Sequence, residues 1–114
     1  MGLTQVQGKR GEDLAADFLR TKGYTLIARN VRSPFGEIDL ICRDGKTTVF
    51  VEVKYRTAPN FGHPEEAIPG NKLERLEKSV EWYVTKNKLA GDYRLDVVSI
   101  EGESPQVVHL QDVS

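Results

Sequence analysis

The chain has 114 residues, of which 16 are lysine or arginine and 17 are aspartate or glutamate, for a formal net charge of −1. Hydrophobic residues make up 39% and charged residues 29%, which indicates one globular domain, and no internal repeat is visible. The near-neutral balance argues against a protein that coats nucleic acid through bulk charge, although basic residues can still be concentrated on one rim. No apolar run approaches a membrane span and the start of the chain lacks a signal-peptide pattern, so we expect a cytoplasmic protein without membrane association.

The N-terminal part predicts a loose tail, a helix and a strand. Residues 1–6 show no pattern, whereas residues 7–22 have helical spacing and Gly23 is a good C-terminal stop. Residues 24–31 predict the first strand, and residues 32–35 predict a connector that contains Ser-Pro. The expected core stripe of the helix is Leu14, Ala15, Phe18 and Leu19.

Glu12 lies near the start of this helix. A seven-residue step nearly closes two turns, so Glu12 is only about 20° from Leu19 and points toward the covered side. The structural alternative is a first-turn glutamate that complements the helix dipole. Asp13 beside it is expected to face solvent.

Residues 36–56 predict two strands joined by a tight turn. Asp44-Gly45 is a strong hairpin signal, because glycine accepts the positive φ that a two-residue turn requires. Apolar residues alternate with polar ones on both sides of this pair. A two-residue turn made of the pair places Glu37 opposite Glu52 and Asp39 diagonal to Glu52.

This pairing puts three carboxylates, Glu37, Asp39 and Glu52, on one face together with Lys54. Directly opposed like charges cost roughly 0.2–1 kcal/mol even when solvated, and more when covered, unless a cation or Lys54 offsets them. Carboxylate oxygens suit a hard cation such as Mg²⁺ or Mn²⁺. The pattern therefore favours metal chemistry, and the structural alternative is a set of ion pairs with Lys54.

Two other regions contain side chains that could react or bind a metal. The single cysteine, Cys42, is predicted to be a small buried hydrophobe, because no CxxC pair or disulfide framework accompanies it. Residues 57–68 contain Pro, Asn and Gly without periodicity and predict a mobile loop beside the site. His63, Glu65 and Glu66 within it favour a substrate-contacting flap over a second metal cluster.

The C-terminal half predicts a helix followed by two strands. The helix begins at Asn71, with Glu74 placed for a capping box. A crossover of this length predicts that the strand at residues 92–101 runs parallel to the strand at 49–56, and residues 105–113 form the last strand. The expected core stripe of the helix is Leu73, Leu76, Val80, Tyr83, Val84 and Asn87.

Basic residues and one tryptophan occupy other faces of this helix. Lys72, Arg75 and Lys78 favour a solvated surface slightly over a phosphate-binding rim. Trp82 lies off the core stripe, and three roles stay open for it: covering a sheet edge, stacking on a base, or packing in a dimer.

The last two strands also carry polar side chains. Arg94 and Asp96 alternate with apolar residues, as an ordinary exposed ion pair does. His109 is predicted to lie on the strand surface. The succession helix, three strands, helix, two strands predicts the α/β class, with a mixed sheet of about five strands in one domain spanning residues 1–114.

Four motifs carry a family resemblance. Asp39, followed by Glu52-Val53-Lys54 on the next strand, resembles the PD-(D/E)xK nuclease signature, and the setting is similar to Holliday-junction resolvases because the helix GKRGEDLAADFL carries its own acid. With GEIDLI, VFVEVK and RLDVV in order, the chain resembles the YraN-type family of bacterial proteins from about Gly8 to Ile100. Ile38 stands where the signature has proline, which leaves the metal chemistry intact. The serine-rich approach loop of archaeal junction resolvases is absent, which leaves the substrate open.

The resemblance implies a restriction-endonuclease-like core and Mg²⁺- or Mn²⁺-dependent hydrolysis of DNA phosphodiester bonds, in branched DNA during repair or recombination. The implied catalytic residues are Glu12, Glu37, Asp39, Glu52 and Lys54. The implied metal ligands are Asp39, Glu52 and the main-chain carbonyl of Val53. The candidates for binding nucleic acid are Arg56, Lys72 and Arg75.

Two other functions remain open at this point. The fold can be kept by a non-catalytic accessory protein that binds nucleic acid or recruits partners, or by a hydrolase of some other phosphodiester. Cutting a four-way junction takes two symmetric incisions, so that substrate predicts a two-fold homodimer.

Overall fold

Two helices and five strands make up the described part of the chain. The computed structural model describes the backbone of residues 3–56, 70–101 and 106–113, and the side chains of residues 11–55, 71–101 and 106–113. The elements are α1 (Leu3–Thr21), β1 (Thr25–Ser33), β2 (Gly36–Asp44), β3 (Thr47–Arg56), α2 (Gly70–Lys86), β4 (Tyr93–Glu101) and β5 (Gln106–Leu110). This succession confirms the predicted α/β class and the predicted order of one helix, three strands, one helix and two strands.

The five strands form one mixed sheet in the order β1-β2-β3-β4-β5. β3 and β4 are parallel, with Glu52 beside Val97 and Lys54 beside Ser99, whereas the other neighbours are antiparallel. The parallel pair confirms the crossover prediction, since a strand reached through a helix returns in the same direction.

The two helices cover opposite faces of the sheet. Successive strand residues point to opposite sides, so each strand contributes side chains to the core under each helix. On the α1 face Leu19 packs with alternate residues of the central strands. On the α2 face Leu76 and Val80 pack against Phe50. The α1-face core is Ala15, Ala16, Leu19, Tyr24, Leu40, Cys42, Val49, Val51, Val98 and Ile100. The α2-face core is Ile38, Ile41, Phe50, Leu76, Val80 and Leu95.

Most of the predicted core positions are confirmed. Ala15 and Leu19 are buried, and Leu14 and Phe18 are packed against them. Cys42 is buried, and burial raises the pKa of its thiol to about 11, as expected of an inert hydrophobe. No helix in the described part of the chain is long and apolar enough to cross a membrane.

Several predicted element boundaries are wrong. The helix begins at Leu3 and not near Gln7, so residues 3–6 are helical and not a loose tail. The predicted connector shrinks to a two-residue turn, since Ser33 pairs with Gly36. Asn87 was expected in the core stripe of α2, but it lies beyond the end of that helix and is exposed. The predicted loop at 57–68 and the turn at 102–104 lie outside the described residues.

The pairing predicted for the β2–β3 hairpin is wrong by two residues. Asp44 pairs with Thr47, so the turn consists of Gly45 and Lys46 and not of Asp44 and Gly45. Gly45 has a φ of +61° and occupies the first central position, which suits a turn that needs a positive φ there. A shift of two residues preserves the alternation of side chains between the two faces along the paired part of the ladder. Ile38, which was expected on the same face as Leu40 and Cys42, packs instead in the α2-face core.

A buried carboxylate on the α1 face anchors the C-terminal segment. Asp96, predicted to be in an exposed pair, is 0% exposed. Its Oδ1 accepts from Arg94 Nε at 3.0 Å and from the Asp112 backbone N–H at 3.0 Å, and His109 Nε2 lies 2.8 Å from its Oδ2. His109 is therefore a buried residue and not a strand-surface residue. Each oxygen of the carboxylate has a donor, which offsets the cost of burying its charge.

This network continues to the end of α1 and the start of β1. Arg94 Nη2 donates to the Tyr24 hydroxyl at 2.7 Å, and Lys22 Nζ lies 2.8 Å from His109 Nδ1. A lysine donor at Nδ1 leaves His109 Nε2 to donate to Asp96. Burial alone would raise the pKa of Asp96, but the hydrogen bonds from His109 and Arg94 hold it below its ordinary value of 3.8.

We expect Asp96→Asn to lower the free energy of unfolding by about 3 kcal/mol, because it removes the charge that faces a largely buried guanidinium. Urea unfolding near neutral pH measures the loss. Since the pKa of Asp96 is lowered by folding, its contribution is present above pH 3.8 and disappears as the pH falls below that value. The control is Asp17→Asn, which removes an exposed pair with Arg20 and should cost less than about 1 kcal/mol. Equal effects of the two substitutions would contradict the importance of the network.

Candidate metal centre

Asp39 lies where the ladder between β2 and β3 ends. The last paired residues are Leu40 and Val51, and beyond them Asp39 Oδ2 accepts a hydrogen bond from the backbone N–H of Val53 at 2.8 Å. The carboxylate therefore takes the place of a backbone partner. Because the N–H and C=O of one strand residue point the same way, the Val53 carbonyl also faces the Asp39 side.

Three predicted acids converge at this point. Single carboxylate oxygens of Glu12, Glu37 and Asp39 lie within 4.8 Å of one another, which is close enough to share one cation. Burial raises the pKa of Glu12, its hydrogen bond with Asn30 lowers it, and the charge of Glu37 raises it again. The three acids thus repel one another in a partly desolvated space.

The position of Glu12 depends on a close approach between α1 and β3. Gly11 is buried against Tyr55, and a Cβ atom at Gly11 would lie 3.1 Å from Tyr55 Cβ. A side chain at this position would be in tight contact with Tyr55, and the two elements would have to move apart by a few tenths of an ångström. The absence of a side chain at Gly11 therefore allows α1 to pack close to β3, which brings Glu12 near the other acids.

Glu52 is the buried member of the site, with 3% of its surface exposed. Its carboxyl group lies beside that of Asp39, and their interaction is visible in the electrostatics. Burial, followed by the hydrogen bond and the charge of Glu52, raises the pKa of Asp39 from 3.8 to about 8, although the Val53 N–H opposes the shift. Two carboxylates that share one site cannot both ionise at little cost.

Two lysines approach these carboxylates from different elements. Lys72 of α2 places its Nζ 2.7 Å from Glu52 Oε2, an ion-pair distance without the alignment of a good hydrogen bond. Lys54 extends from β3, and burial followed by the neighbouring Lys72 lowers its pKa. Glu52 is therefore close to a lysine of opposite charge, while the two lysines are close enough to repel each other.

Lys72 was predicted, by a slight preference, to lie on a solvated surface, whereas it forms an ion pair with the buried Glu52. The signal was present: Lys72 precedes Leu76 by four residues, so the two side chains lie on the same side of the helix. Leu76 is buried against the sheet, and Lys72 is consequently carried to the sheet surface one turn earlier.

The remaining predicted residues fall into three groups. Arg75 is exposed and lines a cavity of about 180 Å³ together with Glu37 and Lys72. Arg94 and Asp96 lie on the α1 face in the buried network and not in the acidic group. The side chain of Arg56 lies outside the described residues, as do His63, Glu65 and Glu66.

The family comparisons agree with the motifs. The model of a family described as "Uncharacterised protein family UPF0102" matches residues 11–100, and the chain belongs to this family. Membership in the YraN-type family, predicted from the motifs, is thereby confirmed.

The similar relatives cover nearly the whole chain. A UPF0102 protein of Neisseria meningitidis serogroup C is 47% identical over 106 residues, 92% of each chain. One from Vibrio cholerae is 41% identical over 109 residues, 93% of this chain and 89% of that one. A solved structure, that of Pyrococcus furiosus SfsA in complex with Ca²⁺, is 16% identical with a TM-score of 0.43, and the match covers 95% of this chain and 63% of that one. That structural likeness is too distant to assign a ligand or an activity to this chain.

We expect Asp39→Asn to stabilise the metal-free protein at alkaline pH. An acid whose pKa is raised by folding from 3.8 to about 8 weakens the fold progressively as the pH rises between those values. Asparagine keeps an acceptor for the Val53 N–H and removes the charge. Urea unfolding in EDTA at about pH 5 and about pH 9 should show that the variant gains stability relative to wild type at the higher pH.

The matched control for this experiment is Asp17→Asn, an aspartate that is exposed on α1. It should show no such gain between the two pH values. A stability difference for Asp39→Asn that does not change with pH would contradict the crowding of carboxylates.

Proposed function

We propose that this protein is a metal-dependent endonuclease that hydrolyses DNA phosphodiester bonds at the acidic group. One observation carries the proposal: carboxylates from α1, β2 and β3 converge beside two lysines where the β2–β3 ladder ends. This convergence raises the pKa of Asp39 to about 8, so it weakens the fold at neutral pH. Groups that disfavour folding in this way are concentrated at functional sites.

The residues fit a hard divalent cation. The donors are carboxylate oxygens, with the Val53 carbonyl on the same side, and Mg²⁺ and Mn²⁺ prefer such ligands together with water and phosphate oxygens. The hydroxyl of Ser99, buried beside Lys54 in the β3–β4 pairing, has no hydrogen-bond partner among the described residues. The site therefore holds both negative charge and unused hydrogen-bonding capacity.

Asp39, Glu52 and the Val53 carbonyl would hold the ion, and Glu12 and Glu37 would complete the acidic pocket, through water or by holding Lys54. A bound Mg²⁺ or Mn²⁺ supplies Lewis acidity, which activates a water molecule and neutralises charge on the phosphoryl group. Asp39 stays fixed through its bond to the Val53 N–H.

The two lysines have different parts in this proposal. Lys54 donates from beside Glu52, so it orients the attacking water or stabilises the developing oxyanion. Burial, followed by the neighbouring Lys72, lowers the pKa of Lys54. Lys72 neutralises Glu52, and Arg75 lies next to it for contact with a neighbouring phosphate.

We expect the ion to stabilise the folded protein. Millimolar Mg²⁺ or Mn²⁺ should raise the melting temperature of wild type, because a ligand that binds only the folded state adds RT ln(1 + [L]/Kd). Glu52→Gln and Asp39→Asn should lose most of this shift, whereas Asp17→Asn should keep it. Differential scanning fluorimetry measures the shift, and an equal shift in all four proteins would place the ion elsewhere.

We expect Mg²⁺- or Mn²⁺-dependent cleavage of DNA that Asp39→Ala and Lys54→Ala each reduce by roughly 10²–10³-fold, since each removes a group that acts on the transition state. A labelled panel of duplex, single strand, flap, four-way junction and RNA measures the cleavage and identifies the substrate. Lys46→Ala, in the exposed β2–β3 turn, is the matched control and should keep full activity. Equal residual cutting by every protein would indicate a contaminating nuclease.

A non-catalytic accessory protein is the second candidate. The observation that favours it is that Glu52 has an ion-pair partner in Lys72 and Asp39 has a backbone donor, so these two acids already have structural partners. Tight, Mg²⁺-independent binding of branched DNA without cleavage would support this function.

For a four-way junction, sedimentation should also show a dimer, whereas a strict monomer would restrict the substrate to single strands and flaps.

A further inference from the structure

The charged residues of α2 are segregated along the helix. The three acids follow one another at spacings of three and four residues on one side. Three of the four basic residues lie on another side, in a stripe whose spacing is completed by a serine and a tryptophan. The acids are Glu74, Glu77 and Glu81. The second stripe is Lys72, Arg75, Ser79, Trp82 and Lys86, within an arc of about 80°. The net charge of −1 conceals this local separation.

The basic stripe begins at the acidic group. Lys72 contacts Glu52 there, and Lys86 is fourteen residues further along the helix, about 21 Å away at 1.5 Å per residue. Such a length accommodates several nucleotides of an extended strand.

An aromatic side chain from the sheet faces this stripe. Phe35, in the turn between β1 and β2, is 43% exposed. It lines the cavity of about 180 Å³ with Glu37 and Lys72, and also a cavity of about 570 Å³ with Trp82 and Lys86. The two cavities share Phe35 in their linings and lie next to each other along α2. Together they are called here the α2 groove, and the first of them includes Glu37 of the acidic group.

The lining of the α2 groove combines the two features that single-stranded nucleic acid requires. Phe35 and Trp82 offer aromatic faces, and Lys86 Nζ lies 4.6 Å from the centre of the Trp82 ring. Lys78 adds positive charge to the same cavity, and Glu81 is the acid on its rim. Exposed apolar residues are common singly, whereas the exposed Phe35 and the half-buried Trp82 line one cavity together with basic residues.

Single strands are favoured over duplexes by the chemistry of stacking. Bases in a duplex have their faces covered by their neighbours, whereas unpaired bases are free to stack on aromatic side chains. Stacking of this kind tolerates every base, and lysine and arginine track the phosphates.

We propose that the α2 groove binds a single strand of DNA next to the phosphate that is cut, with bases stacked on Phe35 and Trp82. This inference rests on the proposed nuclease function for its position beside the site. The phosphates contact Arg75, Lys78 and Lys86. The substrate of the site is accordingly DNA with an unpaired strand, such as a flap or a branch, and not continuous duplex.

The fluorescence of Trp82 tests the proposal, because it is the only tryptophan in the chain. The probe is an oligothymidylate of about eight nucleotides with a terminal dye, titrated in EDTA so that no cleavage occurs. Trp82 emission should be quenched with the same midpoint as the rise in anisotropy of the dye. A matched duplex should bind more weakly, and an RNA oligomer and a peptide serve as further arms.

Phe35→Ala and Trp82→Ala should each weaken binding of the single strand by about five- to a hundredfold, the range expected for loss of one stacked base. Trp82→Phe should restore much of the affinity, since phenylalanine keeps an aromatic face on which a base can stack. Tyr93→Ala is the matched control, since Tyr93 is a 45% exposed aromatic residue on β4 outside the groove. Thermal melting of each variant separates lost binding from lost folding.

The outcomes separate this inference from the proposed function. Quenching with loss of binding in Phe35→Ala, but no cleavage by any protein, supports the groove and overturns the nuclease. Cleavage that depends on Lys54, with unchanged binding in Phe35→Ala, overturns the groove alone. Absence of binding, stronger quenching by duplex, or quenching by the peptide but not by DNA also overturns the proposal.

Discussion

The crowding of Asp39 and Glu52 is the constraint on which the candidate site depends. The two carboxylates come together because β2 and β3 are joined by a two-residue turn, and the ladder ends just before them. Their mutual repulsion is only partly offset by the Val53 N–H and by Lys72. The crowding raises the pKa of Asp39 to about 8, so the metal-free protein loses stability when this carboxyl group ionises. A bound cation would offset the repulsion between the two carboxylates.

The two faces of the sheet carry different polar groups. On the α1 face Asp96 is buried with a donor at each oxygen, so its charge is stabilised and the C-terminal segment is anchored to β4. On the α2 face Glu52 lies beside Asp39 and close to two lysines, with like charges left in proximity. One small sheet thus carries a polar network with paired charges and a second polar group with crowded like charges. This contrast favours the second group as the candidate site.

Helix α2 links the site to the surface around it. Its core stripe packs against Phe50. In this position Lys72 lies beside Glu52, and Trp82 lines the same cavity as Phe35. Of the acidic residues of the helix, Glu81 lines the cavity beside Trp82, whereas Glu74 and Glu77 do not. The position of one helix therefore determines both the charge inside the site and the charge of the groove beside it.

The sequence by itself determined the succession of elements, the parallel β3–β4 pair, the two helix stripes and the residues of the acidic group, because these follow from local periodicity, turn chemistry and motif order. Its errors were local too: the hairpin turn was displaced by one position on each strand, since Asp-Gly and Gly-Lys are both acceptable turn pairs and only the sheet selects between them. Tertiary structure alone decided the burial of the Asp96 and His109 side chains, the pairing of Lys72 with Glu52, and the placement of Phe35 and Trp82 around one cavity. These contacts join residues far apart in the chain, so they depend on how the helices sit on the sheet, which no local pattern specifies.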